Sequence, residues 1–257
     1  MKIVACQTPH LDIGEKDKIL ELFRKSINSD IICFPENFLQ HEVTPKNYQS
    51  SVVAEAKKFF SFSARKFGKY VAMGSVTEKV NGSFYNRAYL IGKDGRIIGH
   101  YDKINIDRTE SWKSAGKKAR VFKTGIGSIG LLICRDLLYP KCSASIAKQG
   151  ADLIIMPAFW CSYNSRYPKS YTKMFYKGKE PREVDSLVAA RAIENGIAFA
   201  FVNGAGGDKE RKSLGRTQIA VPFYGTIARI DGNESKILKA KIDISLVQQA
   251  KKAYGFG

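Results

Sequence analysis

Three side chains of reactive type stand directly after apolar runs. Glu36 follows DIICFP, Lys103 follows the run that ends at Tyr101, and Cys134 closes IGLLIC ahead of Arg135 and Asp136. In α/β folds, sites gather outside the carboxyl ends of strands. A strand-to-helix turn exposes a nucleophile and offers backbone N–H groups beside it. The three types are complementary: a thiol needs a base to become a thiolate, and the anion formed on attack needs a nearby cation. Glutamate and lysine supply both without histidine. The chain has three histidines, His10, His41 and His100, none paired at metal-ligand spacing. The expected chemistry therefore uses neither a metal nor an organic cofactor. Taken singly, Cys134 reads as strand packing, Glu36 as a cap or surface carboxylate and Lys103 as a solvated cation. The combination carries the signal.

The elements that must position these residues follow from the hydrophobic pattern. Residues 2–7, 30–34 and 70–77 read as strands, with amphipathic helices over 15–27 and 51–67, the second closed by Gly68. Asn81-Gly82 marks a hairpin, and residues 84–91 and 96–101 flank a second turn at Lys93-Asp94-Gly95. A polar, basic loop over 103–120 separates this half from a second. There, strands at 126–134, 152–156 (stopped by Pro157) and 197–202 alternate with helices at 139–149 and 182–195. A β-meander over 215–222, 225–230 and 236–242 and a helix over 244–254 close the chain. Residues 159–181 read as a second long loop. Loops of that length inside a compact domain are commonly functional. Phe159 and Trp160 follow a strand end, where they line a pocket or fill the core. Both halves run βαβα into hairpins. Helices cover one face of each sheet and the other faces need burial, so the expected fold is a four-layer αββα sandwich of two mixed sheets, as one domain over residues 1–257.

Composition bounds the function. The chain has 257 residues, 44% of them hydrophobic and 11% aromatic, which supports a folded core and excludes overall disorder. No apolar run reaches the ~18–20 residues that cross a bilayer, and the N-terminal apolar run is too short for a secretory signal. A cytoplasmic protein is expected. Five cysteines without CxxC spacing argue against disulfides and zinc. Cys6 and Cys33 read as strand packing, and Cys142 and Cys161 have no reactive context. The net charge of +18 is spread along the chain, without a basic tail, and reads first as a solvated surface. It leaves open anionic-substrate steering and, less favoured, nucleic-acid binding.

The ordered motifs resemble the nitrilase superfamily, the carbon–nitrogen hydrolases. Phe34-Pro35-Glu36, Tyr101-Asp102-Lys103-Ile104 and GLLICRDLLYP over residues 130–140 resemble its three catalytic motifs. Cys6-Gln7, RAIENG over residues 191–196 and Asn203-Gly204 are similar to its other segments. The resemblance implies the αββα sandwich, a Glu36–Lys103–Cys134 site, a second glutamate best matched by Glu110, and assembly as homodimers or larger homo-oligomers. The sequence departs from the family at Arg135, where Tyr or Trp is common, at Lys141, often Glu, and at Gly215-Arg216-Thr217 in place of Gly-x-Ser.

The reaction expected is hydrolysis of a small amide or N-carbamoyl compound, with nitriles less favoured. Glu36 takes the thiol proton, and Cys134 forms a thioester. Lys103 and the backbone N–H of Arg135 hold the oxyanion, and water oriented by Glu110 completes the turnover. Arg135 either grips a substrate carboxylate or forms a salt bridge within the protein, with Glu110 a candidate partner. The C-terminal apolar residues Leu246, Val247, Tyr254 and Phe256 suggest a buried partner surface and a two-fold dimer. A non-catalytic interaction protein on the same fold is the alternative from another class.

Overall fold

The first strand, β1 (Lys2–Gln7), sorts the core. Ile3 and Ala5 face one side, Val4 and Cys6 the other, and all four are buried. A strand buried on both faces needs a layer on each. The computed structural model describes residues 1–40, 42–162, 180–207 and 212–255 and supplies both layers. On the outer face, α1 (Lys16–Lys25) contributes Ile19 and Phe23, and α2 (Ser50–Phe67) contributes Val53, Ala56, Phe60 and Ala64. Gly68 ends α2 in the left-handed conformation, its N–H returned to Arg65 O. On the inner face, Ile3, Ala5, Ile31 and Cys33 share one core with a second sheet.

The first sheet has six strands in the order β12-β1-β2-β3-β4-β5, where β2 is Ile31–Cys33, β3 Tyr70–Val80, β4 Ser83–Ile91, β5 Ile97–Asp102 and β12 Lys236–Lys241. The second runs β11-β10-β9-β8-β7-β6, where β6 is Val121–Thr124, β7 Gly127–Leu131, β8 Leu153–Ala158, β9 Ala198–Asn203, β10 Gln218–Val221 and β11 Gly225–Arg229. Each sheet has three parallel strands at its centre and antiparallel neighbours outside. The outer face of the second sheet is covered by α3 (Pro140–Lys148) and α4 (Glu180–Glu194). Residues 244–253 form α5 (Ile244–Ala253), anchored by Gln248 and Lys251 on Asp152. This is the αββα sandwich.

Three expectations need correction. The strand β6 adds an edge to the second sheet at residues 121–124; it is only half-buried, so its apolar signal is weak. The strand β8 runs through Pro157, which pairs beside Val202. Ile155 O turns toward the β7 side, where it accepts Leu132 N–H. Pro157, two residues on, faces the same side after β7 has ended, so its missing N–H costs no ladder bond. The last strands are not one meander: β10 and β11 stay in the second sheet, whereas β12 pairs with β1 of the first. The dimer expectation from the C-terminal residues also shifts. Val247 is fully buried in the core of the chain itself and Leu246 packs against that core, while Phe256 lies outside the described residues. Of the expected residues Tyr254 stays exposed, and it joins an apolar patch near the β10–β11 turn with Phe223, Tyr224 (74% exposed) and Ile193 of α4. Among the described residues, no helix is long and apolar enough to cross a membrane.

Candidate active site

The three reactive side chains meet at one end of the sandwich, each carried there by a distinct local device. Glu36 follows β2 and Pro35, and bridges to Ser75 of β3. Gly74 makes this approach possible. Its φ is +78°, and a Cβ there would stand 2.1 Å from Pro35 O. The backbone N–H of Glu36 reaches across to Ala158 O of the second sheet at 3.3 Å.

Cys134 opens a short 3-10 turn with φ +43°, a strained value for a side chain with a Cβ. Asp136 holds that turn and ties it to the lysine segment. Its Oδ2 accepts from Ile133 N–H at 2.9 Å and from the Tyr101 hydroxyl at 2.8 Å. Its Oδ1 accepts from Asn105 N–H at 3.0 Å and Nδ2 at 2.8 Å. Tyr101 and Asn105 flank Lys103 by two residues on each side, so one buried carboxylate fixes the lysine segment and the nucleophile turn together. Burial pushes the Asp136 carboxyl up, opposed by these donors.

Lys103, buried, donates to Glu36 Oε1 at 2.8 Å and to Glu110 Oε2 at 2.9 Å. Glu110 Oε1 accepts from Lys113, which is also buried. Asn86 of β4 donates to Glu36 Oε1 at 2.7 Å and to Glu110 Oε1 at 3.3 Å. Glu36 Oε2 accepts from the backbone N–H of Phe159 at 2.9 Å. The result is a row of alternating charge, Glu36–Lys103–Glu110–Lys113. Burial would pull the Lys103 ammonium down, yet Glu36 and Glu110 hold it well above the usual lysine range. Burial would raise Glu110, yet Lys103 and Lys113 pull it down to about 2. The Cys134 thiol is pushed well up, by burial first and by the Glu36 carboxylate second, while Lys103 and the Phe159 N–H oppose them. A resting neutral thiol beside a carboxylate is the arrangement for proton transfer during attack rather than for a preformed thiolate.

These groups line a cavity of about 360 Å³ together with His10, Asn37, Gln40, Thr77, Trp112, Leu138, Phe159 and Trp160. That is room for a small molecule. Phe159 contributes its N–H to Glu36 and its ring to a contact with His10 at 4.6 Å. Trp160 is buried, with its backbone held by Asn203, and touches the cavity from the core side. Arg135 lines the mouth, and its Nη1 donates to Asp107 Oδ2 at 3.2 Å. This is the salt-bridge alternative with a different partner, because Glu110 is already engaged by two lysines. The loop expected over 159–181 lies mainly outside the described residues, as does His41.

Sequence reasoning missed Asn86, Lys113 and Asp136. Asp136 stands in the nucleophile motif, and its signal was a carboxylate two residues after a thiol at a strand end. Asn86 stands beside the aromatic pair Phe84-Tyr85 in a strand that ends apolar, a position where a buried polar residue needs partners.

Comparison with known proteins identifies the family and agrees with the fold. The carbon–nitrogen hydrolase family matches residues 11–252. The chain is 28% identical to a 2-oxoglutaramate amidase of Bacillus subtilis, covering 90% of this chain and 85% of the relative. It is 26% identical to a nitrilase of Pyrococcus abyssi, covering 95% and 87%. Its fold superposes on a carbon–nitrogen hydrolase from Helicobacter pylori with a TM-score of 0.87 at 21% identity, covering 100% of this chain and 93% of that one.

Proposed function

The chain belongs to the carbon–nitrogen hydrolase family, and from that premise we propose that Cys134 is its nucleophile and a small amide or N-carbamoyl compound its substrate. One observation carries the reading: Glu36, Lys103 and Cys134, far apart in sequence, converge on one cavity of small-molecule size. Glu36 takes the proton from Cys134 Sγ as sulfur attacks the carbonyl carbon. The carbonyl oxygen becomes an oxyanion held by Lys103 Nζ and the backbone N–H of Arg135; such a donor is worth about 3–4 kcal/mol of transition-state stabilisation. The tetrahedral species collapses to a thioester, and Glu36 returns the proton to the leaving nitrogen. Glu36 then deprotonates water, which attacks the thioester and releases the acid and the thiol.

Glu110 acts by holding Lys103. With its carboxyl down at about 2, it stays anionic at neutral pH and serves as an acceptor that aims the ammonium. Phe159 and Trp160 wall the acyl side. Arg135 contributes its N–H to the oxyanion, and its side chain stays with Asp107. The amide preference is supported by the amidase name of the Bacillus subtilis relative. The exposed Phe223, Tyr224 and Ile193 favour a homodimer joined over this face.

Ammonia release from a panel of small amides, carbamoyl compounds and nitriles tests the reading. Activity should fall by several orders of magnitude in Cys134→Ala, Glu36→Gln and Lys103→Met, since such groups act as a unit. Undiminished hydrolysis by Cys134→Ala overturns it.

A further inference from the structure

A second, more open depression of about 440 Å³ lies between the segment over residues 117–119 and α3, and it shares no lining residue with the hydrolytic cavity. Its described lining includes Lys117, Lys118, Lys141 and Ser145, and no carboxylate. In the hydrolytic cavity, Lys103, Lys113 and Arg135 each face a carboxylate of the protein. Lys117, Lys118 and Lys141 have no such partner among the described residues. Three like charges gathered around one concavity repel each other and set up a positive field inside it.

The backbone that presents these lysines is firmly held. Gly116 sets the lysine pair against the catalytic segment: its N–H donates to Lys103 O at 2.8 Å, and a Cβ there would stand 2.1 Å from Asp102 O. At the other end, Ala119 O accepts from Gln149 Nε2 at 3.2 Å. Lys141, Ser145 and Gln149 recur every four residues and so share one face of α3. Cys142 also lines the depression; its Sγ accepts from Asn105 Nδ2 at 3.2 Å, and the same Asn105 holds Asp136. Lys141 stands in the first turn of α3, which contains no acidic residue. The helix dipole favours an anion at that end and disfavours a cation. Lys141 is also one of the positions where the sequence departs from its family. An anion held beside Lys141 accounts for both the cation and the missing counter-charge.

We propose that the depression between residues 117–119 and α3 binds a compact small-molecule anion carrying two or more negative charges, of phosphate or polycarboxylate type. Its volume suits a small molecule. Lysine ammoniums are point charges on flexible stems, without the flat fork that selects a single carboxylate, and the Ser145 hydroxyl adds a further donor. Such a set suits a multiply charged oxyanion, around which several donors converge. The site is separate from the hydrolytic cavity, so it stands whatever chemistry Cys134 performs.

The probes are pyrophosphate and citrate, titrated by calorimetry into the full chain at constant ionic strength set with chloride. At least one should bind saturably and one to one, and which of them binds separates phosphate from carboxylate recognition. Lys118→Gln combined with Lys141→Gln should weaken that Kd at least tenfold, since hydrogen bonds from charged donors are lost. Lys58→Gln combined with Lys239→Gln is the control: it removes the same net charge at α2 and β12, outside this depression, and should leave the Kd within about twofold because salt screens distant charges. All four lysines are exposed, so neither variant disturbs the core. Three results overturn the site. One is no saturable binding of either probe. Another is an equal loss in both double variants, which reduces the effect to general surface charge. The third is a Kd that Lys118→Gln with Lys141→Gln leaves unchanged, which puts the anion elsewhere.

Discussion

Replacing Lys113 with methionine removes one of the two cations that hold Glu110. The lysine side chain is 3% exposed and that of Glu110 is 16%, so solvent screens the pair little. A carboxyl at about 2 instead of the ordinary 4.5 corresponds to about 3 kcal/mol of stability at pH 7. The charge of Lys103 acts on Glu110 somewhat more strongly than that of Lys113, and both also hydrogen-bond to it. Lys113 therefore accounts for roughly half, and Lys113→Met should destabilise the protein by about 1–2 kcal/mol at pH 7. The pH dependence fixes the cause. Because the folded-state pKa is depressed, this stability is present above 4.5 and disappears as pH falls toward 2. The gap between wild type and variant should accordingly stay nearly full at pH 4, fall to roughly two thirds at pH 3 and halve only near about pH 2.5. Urea midpoints at pH 7, 4 and 3 measure it. A variant as stable as wild type at pH 7, or a gap that widens in acid, would refute the account of Glu110 as a carboxylate held between two lysines.

Asp136→Asn should destabilise by about 2–3 kcal/mol and lower kcat more than it raises KM, because one carboxylate oxygen becomes an NH2 donor and either the Ile133 and Tyr101 donors or the Asn105 donors lose their acceptor; unchanged kcat would contradict the coupling. Alkylation of Cys134 by iodoacetamide should keep rising through pH 9, and Glu36→Gln should accelerate it several-fold at pH 8 while abolishing hydrolysis, since the Glu36 charge raises the thiol; a plateau near pH 7 in wild type would show a preformed thiolate instead. Light scattering should find a dimer at micromolar concentration, and Tyr224→Ser with Phe223→Ser should shift it toward the 28.6 kDa monomer; a wild-type monomer would refute the interface.

Glu36, Lys103 and Cys134 were legible because their positions are local facts: each follows an apolar run, and runs of that kind end where sites form. Glu110 came only from family resemblance, since nothing within residues 103–120 says which carboxylate turns inward. The unread residues share one property, dependence on pairing between segments. Asn86 becomes a ligand of Glu36 only once β4 is registered against β3, because register decides which face each residue takes. Pro157 sits in a strand because its neighbour has already ended, a fact about β7 rather than about Pro157. Lys113 reads as one more surface lysine until the loop folds it onto Glu110. Arg135 shows the same dependence from the other side: its partner was sought at Glu110, and that carboxylate was already committed to two lysines. Charge balance inside a cavity is therefore the step at which reading residues in order stops working. It needs every charged group around the site at once, and here that joint inventory turns a basic sequence into a site whose cations Lys103, Lys113 and Arg135 are each held by a carboxylate.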